Sequence, residues 1–460
     1  MLIFAIIAYI LFTLLIGVVA SRWVKDSRDF VLAGRRLPLI LASTALFATW
    51  FGSETVLGAS SEFVEHGLIG VVEDPFGAAL CLLLVGLLVA RPLYRLQILT
   101  FCDYYRDRFG TRTEFLSSLC MVPSYFGWIA AQLVAIGIIF RVVAGVPTVW
   151  GIVGGTVVVV AYTYVGGLWA VSITDFLQTV VILAGLIWLA VDLTEAAGGL
   201  QTVLERPSPG FFRFWPEASL SNISHYVAAW ITIGLGSIPQ QDVFQRVMAA
   251  KSERVAVRAS YIAAGMYVSV GMIPLLIGLC ALQLYPEVGA VADAQLTLPT
   301  VVMQHAGTGL QILFFGALLS AIMSTTSGAV LAPATILAEN LIRPHLSDQS
   351  DRRLLQVLRG SVVGVGAASA LMAIWQTNIY DLVAQSSSLS LVSLFVPLMA
   401  GLYWKRATER GAVAAIVLGM TAWLVAEYLE SDFPPILYGL GASILGMGVG
   451  SLWKNPMKSA

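Results

Sequence analysis

Charge is what this chain has least of. Only 12% of its 460 residues are Asp, Glu, Lys or Arg, while 58% are hydrophobic. An ordinary soluble domain carries about 25% charged residues, so the composition excludes one and implies an all-α polytopic membrane protein. A net charge of −1, with no basic block and no interleaving of basic and aromatic residues, offers a nucleic acid nothing to bind. Cysteine is also rare. Cys81, Cys102, Cys120 and Cys280 lie in or beside apolar segments without CxxC spacing, which builds neither a disulfide framework nor a zinc site. The histidines His66, His225, His305 and His345 are scattered. With no nucleophile and base at a workable spacing, no enzyme constellation is visible and no cofactor is implied. A cation channel would need a filter-like motif, and none is present.

Long apolar runs are what the chain has in excess. The first, residues 2–20, has no Lys or Arg before it and Arg22, Lys25, Arg28, Arg35 and Arg36 after it. A secretory signal has the opposite polarity, so this run reads as a retained helix with its N-terminus outside. Hydropathy gives thirteen spans, at about 2–21, 38–60, 71–91, 114–143, 148–165, 169–193, 223–245, 256–284, 308–339, 357–376, 379–403, 411–430 and 435–453. With this count, every one of the 26 Lys and Arg residues except Arg141, Arg206 and Arg213 falls on the cytoplasmic side, as the positive-inside rule requires. The C-terminus is then cytoplasmic and the protein resides in a cell membrane. No gap holds a soluble domain; the longest loop, about 194–222, contains turn-forming GGLQ and ERPSPGFFRFWPE. The chain is one transmembrane domain, and no obligatory protein partner is implied.

Three spans carry polar residues where lipid should be. In span 9 the run 309–339, GLQILFFGALLSAIMSTTSGAVLAPATILAE, has no charge before its last residue. At 3.6 residues per turn Ala321, Ser324, Thr325 and Gly328 share one face. Two readings are open. Small residues allow close helix packing while hydroxyls bond back to i−4 carbonyls, or the stripe offers oxygens to an alkali cation. Span 2 is interrupted by TWFGSET and span 7 by LGSIPQQDVF, where Pro239 removes a backbone donor. These two spans open consecutive blocks of five, and broken helices at matching positions of two halves point to a transporter's binding site.

The motifs ATWFGSETVLGA in span 2, YTYVGGLWAVSITDFLQ across spans 5 and 6, IPQQDVFQRV in span 7 and LLSAIMSTTS in span 9 resemble those of the sodium:solute symporter family, in family order over nearly the whole chain. The likeness is greatest to its choline-transporter branch and extends to proline transporters. The resemblance implies the LeuT-type fold, a 5+5 inverted repeat of spans 2–6 and 7–11. Residues 1–37 would form an extra N-terminal helix and loop, 38–193 the first repeat, 223–403 the second, and 404–460 two C-terminal helices and a tail. It also implies sodium-coupled symport of a small organic solute, an amine, amino acid or similar, by alternating access. The other reading is a sensor that binds solute without coupled transport. Lipid, Na⁺ and the solute would be the partners. Carried over by position, the sodium ligands would be the carbonyls of Ala48, Phe51 and Ala321 and the hydroxyls of Ser324 and Thr325, with Asp175 on the sodium path to the cytoplasm. The alternative for Asp175 is a carboxylate favoured by a helix N-terminus.

Trp50 and Trp128 match aromatic positions that surround choline in that branch. The other aromatic positions are here Ala78, Gln240 and Val383, so a quaternary ammonium would lose contacts worth about 0.5–2 kcal/mol each. Acids and amides stand in their place. Glu54, Asp74, Gln240 and Asp242, with Glu73 and Gln241 beside them, would favour a solute with an amine or many hydroxyls. The structural alternatives are a solvated helix start for Glu73 and Asp74 and an interhelical pairing for Glu54. Gln245 and Arg246 are expected to end span 7 at the cytoplasmic face in a structural role, Arg246 pairing to a carboxylate or to loop carbonyls, and the hydroxyl-rich patch QSSSLS in span 11 either lines the pathway or packs helices.

Overall fold

The computed structural model describes residues 26–286, 294–348 and 350–452, with scattered positions between Phe4 and Arg22. The expected first span therefore falls largely outside the described residues, as does the tail after Leu452. Nine helical stretches among the described residues are long and apolar enough to cross a bilayer, among them Thr111–Ala144, Glu253–Leu284 and Thr308–His345. The other expected spans are shorter, broken or fused to a neighbour, as with Leu39–Ala48 and Thr148–Ala161. The count of thirteen accordingly stays an expectation.

The bundle is apolar on its outside as well as in its core, with a minority of polar side chains buried within. Trp150 is 67% exposed, Leu371 64% and Leu445 67%, while Gln132, Asp175, Asp242 and Arg246 are fully buried. Hydrocarbon solvates the outer side chains, and each polar group inside must find a partner within the protein.

Both expected interruptions occur. In span 2 the helix Leu39–Ala48 ends, residues 49–52 turn, and a wide helical turn resumes over Glu54–Gly58 before Ala59–His66. In span 7 the helix Leu220–Gly236 gives way to residues 237–240 and restarts as Gln241–Ala249. Pro239 lies in that gap, where its missing N–H withdraws a helical donor. Spans 5 and 6 join differently. Thr148–Ala196 is helical throughout apart from Gly167, whose φ of 53° and ψ of −158° turn the chain.

One end of the bundle is sealed by the segment before span 2. The helix Ser27–Leu32 is capped by Asp26, which accepts from Asp29 N at 2.7 Å. The Leu37 N–H donates to Ala249 O at 3.0 Å and its carbonyl accepts from Lys251 N at 2.9 Å. Tyr94 secures the same spot, its hydroxyl donating to Ala250 O at 2.9 Å while Arg35 lies over its ring. Phe30 completes the seal against Gly167. A Cβ on that glycine would stand 2.7 Å from the Phe30 ring and 2.7 Å from the Phe30 carbonyl oxygen. The positive φ and the close approach both demand glycine.

Gly167→Ala is therefore expected to destabilise the fold by at least about 2 kcal/mol, read as a lower melting temperature of the detergent-purified protein. Gly154→Ala is the control, since nothing lies within 4 Å of its added methyl. An equal effect of both would mean that the seal at Phe30 is unimportant.

Candidate functional site, where two broken helices meet a polar pocket

The stripe on span 9 faces the protein, and its hydroxyls divide into two groups. Thr326 bonds back to Ile322 O, Ser327 to Ser324 O at 2.8 Å and Thr335 to Leu331 O at 2.8 Å. Ser324 and Thr325 do not follow them. Ser324 donates to the Asp175 carboxylate of span 6, and Thr325 donates to Ala48 O of span 2 at 3.0 Å. Both are 1% exposed. Local geometry explains why Ala48 O is available. The N–H four residues on belongs to Gly52, and it turns to Trp50 O at 2.8 Å instead. The break thus leaves a carbonyl aimed at span 9.

Of the five expected ion ligands, the structure joins Ala48 directly to Thr325. It buries Phe51 and Ala321 alongside, Phe51 stacking on Phe47 with ring centroids 4.7 Å apart. The Asp175 carboxylate, expected on the sodium path, touches Ser324 of this group.

Arg246 pairs to a carboxylate and to carbonyls as expected, but it does so in the core, where it is fully buried. Its Nε donates to Ala45 O at 3.0 Å, one terminal nitrogen to Asp242 O at 3.4 Å, and the other lies 3.8 Å from Asp175 Oδ2. Gly328 on span 9 makes room for it, since a Cβ there would collide with the guanidinium. The arginine therefore ties spans 2, 6, 7 and 9 together beside the Ser324–Asp175 contact.

The same breaks open onto a small cavity. Its wall carries Trp50 and Glu54 of span 2, Asp74 and Ala78 of span 3, Trp128 of span 4, Ser237 and Gln240 of the span 7 break, Tyr267 of span 8, and Val383, Ser386 and Ser387 of span 11. The three positions expected to depart from the choline pattern, Ala78, Gln240 and Val383, all line it. Glu54 is held from span 4. Trp128 Nε1 donates to its Oε1 at 2.9 Å and Gln132 Nε2 to its Oε2 at 2.5 Å, while Gln132 Oε1 accepts from Ser53 N at 3.1 Å. One glutamine amide thereby fastens both the backbone and the acid of the interrupted helix. Asp74 Oδ2 accepts from Thr55 at 2.6 Å, and Thr55 lies 2.6 Å from the Tyr267 hydroxyl.

Asp242 does not join this wall. It bonds to Tyr125 through both its carboxylate and its N–H, because the restarted helix points it away from the cavity. Glu73 also stands off the wall. Sequence reasoning missed Tyr267, Thr55 and Gln132; the span 11 serines both line the cavity and join helices, Ser386 accepting from Trp128 N at 2.9 Å and Ser387 lying 3.1 Å from Ser237. Gln132 was visible as a lone amide in the apolar run AAQLVA; Tyr267, in AAGMYVSVG, left no signal.

An apolar-clad bundle whose two broken helices share a central polar pocket defines a secondary membrane transporter of the LeuT fold. The chain superposes on a Na⁺-coupled sialic acid symporter, solved in a substrate-bound outward-open state, with a TM-score of 0.84 over 100% of this chain and 99% of that one at 21% identity. It superposes on Mhp1, a nucleobase-cation-symport-1 family transporter in a closed conformation, with a TM-score of 0.62 over 91% and 93% of the two chains at 16% identity.

The chain belongs to the sodium:solute symporter family, whose sequence model matches residues 30–419. Among its relatives are the high-affinity choline transporter 1 of Caenorhabditis elegans, 26% identical over 92% of this chain and 77% of that protein, and the high-affinity proline transporter PutP of Bacillus subtilis (strain 168), 27% identical over 94% of each. It is a multi-pass membrane protein and a sodium-coupled symporter of a small solute, not an enzyme.

Removing Arg246 would strand Asp175 in the core. Arg246→Ala is expected to cost about 3–5 kcal/mol, seen as a lowered melting temperature, and Asp175→Asn in the same chain should recover part of that loss. Arg246→Lys should rescue poorly, because an ammonium lacks the fork that reaches three partners. Additive losses in the double variant would separate the two residues.

Proposed function

We propose that the chain couples the inward movement of Na⁺ to uptake of a small organic amine by alternating access across a cell membrane. The N-terminus is outside, the C-terminus cytoplasmic, and residues 38–193 and 223–403 form the two inverted repeats. The Na⁺ site is made of Ala48, Phe51, Ala321, Ser324 and Thr325, with Asp175 passing the ion onward. The observation that carries this reading is the pair of interhelical bonds from Ser324 and Thr325 in a helix where the adjacent Thr326 and Ser327 hydroxyls donate to their own backbone. A hydroxyl and a freed carbonyl that face each other are the hard oxygens a monovalent cation takes, and movement of spans 2 and 9 apart would dismantle the site and release the ion.

Trp50, Trp128, Glu54, Asp74 and Gln240 serve the solute. Two carboxylates, with no Lys, Arg or His on the cavity wall among the described residues, favour a cation and leave the carboxylate of an amino acid without a charged partner. Indole faces add cation–π attraction. The driving force is adequate. One Na⁺ and one solute cation entering at 100 mV gain about 2.3 kcal/mol each, and a tenfold Na⁺ gradient adds about 1.4. Together these support a concentration ratio on the order of 10⁴.

Reconstituted uptake of amines under an inward Na⁺ gradient tests the assignment. Ser324→Ala or Thr325→Ala should raise the half-saturating Na⁺ roughly 5- to 150-fold, as expected for loss of a buried ligand; unchanged Na⁺ dependence in both would sink the site. Trp50→Ala should weaken solute affinity roughly 2- to 30-fold with Na⁺ dependence kept. Full-strength solute binding in that variant would make Trp50 a packing residue.

A further inference from the structure

The two carboxylates on the cavity wall are not equivalent. Glu54 has both oxygens committed, one to the Trp128 indole and one to the Gln132 amide. Asp74 is 1% exposed, its Oδ2 accepts from Thr55, and among the described residues its Oδ1 has no hydrogen-bond partner. Thr55 has a single proton, so a bond from it to Asp74 makes Tyr267 the donor across the 2.6 Å Tyr267–Thr55 contact. The protons then run in one direction, from Tyr267 to Thr55 to Oδ2. Three spans hold the carboxylate in place and supply one of its oxygens. An oxygen left bare in a buried site is expensive until a donor arrives.

We propose that Asp74 is the anchor for the solute's ammonium group, that Thr55 and Tyr267 are its positioning residues, and that the solute is an amine with at least one N–H in preference to a fully methylated one. This rests on the amine reading of the pocket and narrows it. A primary, secondary or tertiary ammonium gives Oδ1 a charge-assisted hydrogen bond. A quaternary ammonium presents only methyl groups, leaves Oδ1 bare, and relies on the faces of Trp50, Trp128 and Tyr267 alone. Where an aromatic cage would hold a cation by its methyls, Ala78, Gln240 and Val383 give it room without attraction, and Asp74 supplies direction.

The test uses the purified full-length protein and four probes, ethanolamine and its N-methyl, N,N-dimethyl and N,N,N-trimethyl derivatives. Apparent Kd is read from thermal stabilisation with and without Na⁺. The first three should bind within a few-fold of one another, and the trimethyl compound roughly 10- to 100-fold more weakly. Asp74→Asn, which keeps an acceptor for Thr55, should abolish that final step. Tyr267→Phe should narrow it while stabilisation by Na⁺ alone persists, a change in selectivity that a merely structural role would not produce. If the trimethyl probe binds wild type as tightly as the others in a Na⁺-dependent way, the anchor is overturned and the amine reading stands. The anchor is also overturned if the step persists in Asp74→Asn. If Na⁺ stabilises the wild type but no probe binds, the amine reading falls and the anchor with it. The wild-type series decides the matter even if a variant does not fold.

Discussion

The contact on which this structure depends is the bond from the Thr325 hydroxyl to the Ala48 carbonyl. It exists because two local rules fail at once. Span 2 stops being a helix and so releases a carbonyl, and span 9 carries a hydroxyl that does not satisfy itself on its own backbone. In hydrocarbon neither group can be left alone, since no water is present to take the place of a partner. The break in span 2 and the polar stripe in span 9 therefore explain each other, and the meeting of two such segments is what an ion-coupled carrier requires.

Around that contact the buried charges are managed by tethering. Arg246 reaches the backbone at Ala45, the backbone of its own helix at Asp242, and the side chain of Asp175. Gln132 does the equivalent on the solute side, bonding to Ser53 N and Glu54. Both are long side chains with several hydrogen-bonding atoms, Gln132 sent from the unbroken span 4 and Arg246 from the restarted half of span 7, and both stabilise the interrupted span 2. A rigid scaffold with two discontinuous helices pinned this way places an ion-side carbonyl, that of Ala48, and a solute-side carboxylate, that of Glu54, within a few residues of each other on span 2. Trp50, Phe51 and Glu54 lie within one turn of each other. Coupling between ion and solute then needs no long route through the protein.

The architecture was legible in the sequence because membrane burial writes coarse signals. Long apolar runs, lysine and arginine on alternate loops, and polar interruptions in spans 2 and 7 each follow from the solvent. The span 9 stripe was legible as a pattern but not as a choice, because Ser324 and Thr326 look alike in sequence and differ only in which neighbour stands opposite. Arg246 was misplaced because a cationic residue near a span end ordinarily reaches water; its burial follows from Gly328 and Asp175, which are remote in sequence. Asp242 was misassigned because a helix restart sets side-chain direction within a residue or two, finer than hydropathy can resolve. Tyr267 was illegible, since a tyrosine in an apolar helix has no pattern until the residues across from it are known.

The most direct test of the central claim is equilibrium binding of radioactive Na⁺ to the purified protein across a range of concentrations of a transported amine. If the ion and solute sites share the broken second span, the amine should tighten Na⁺ binding, and Na⁺ should tighten amine binding by the same factor, since coupling between two sites is reciprocal. Saturable Na⁺ binding indifferent to the amine, or no saturable binding at all, would contradict the account.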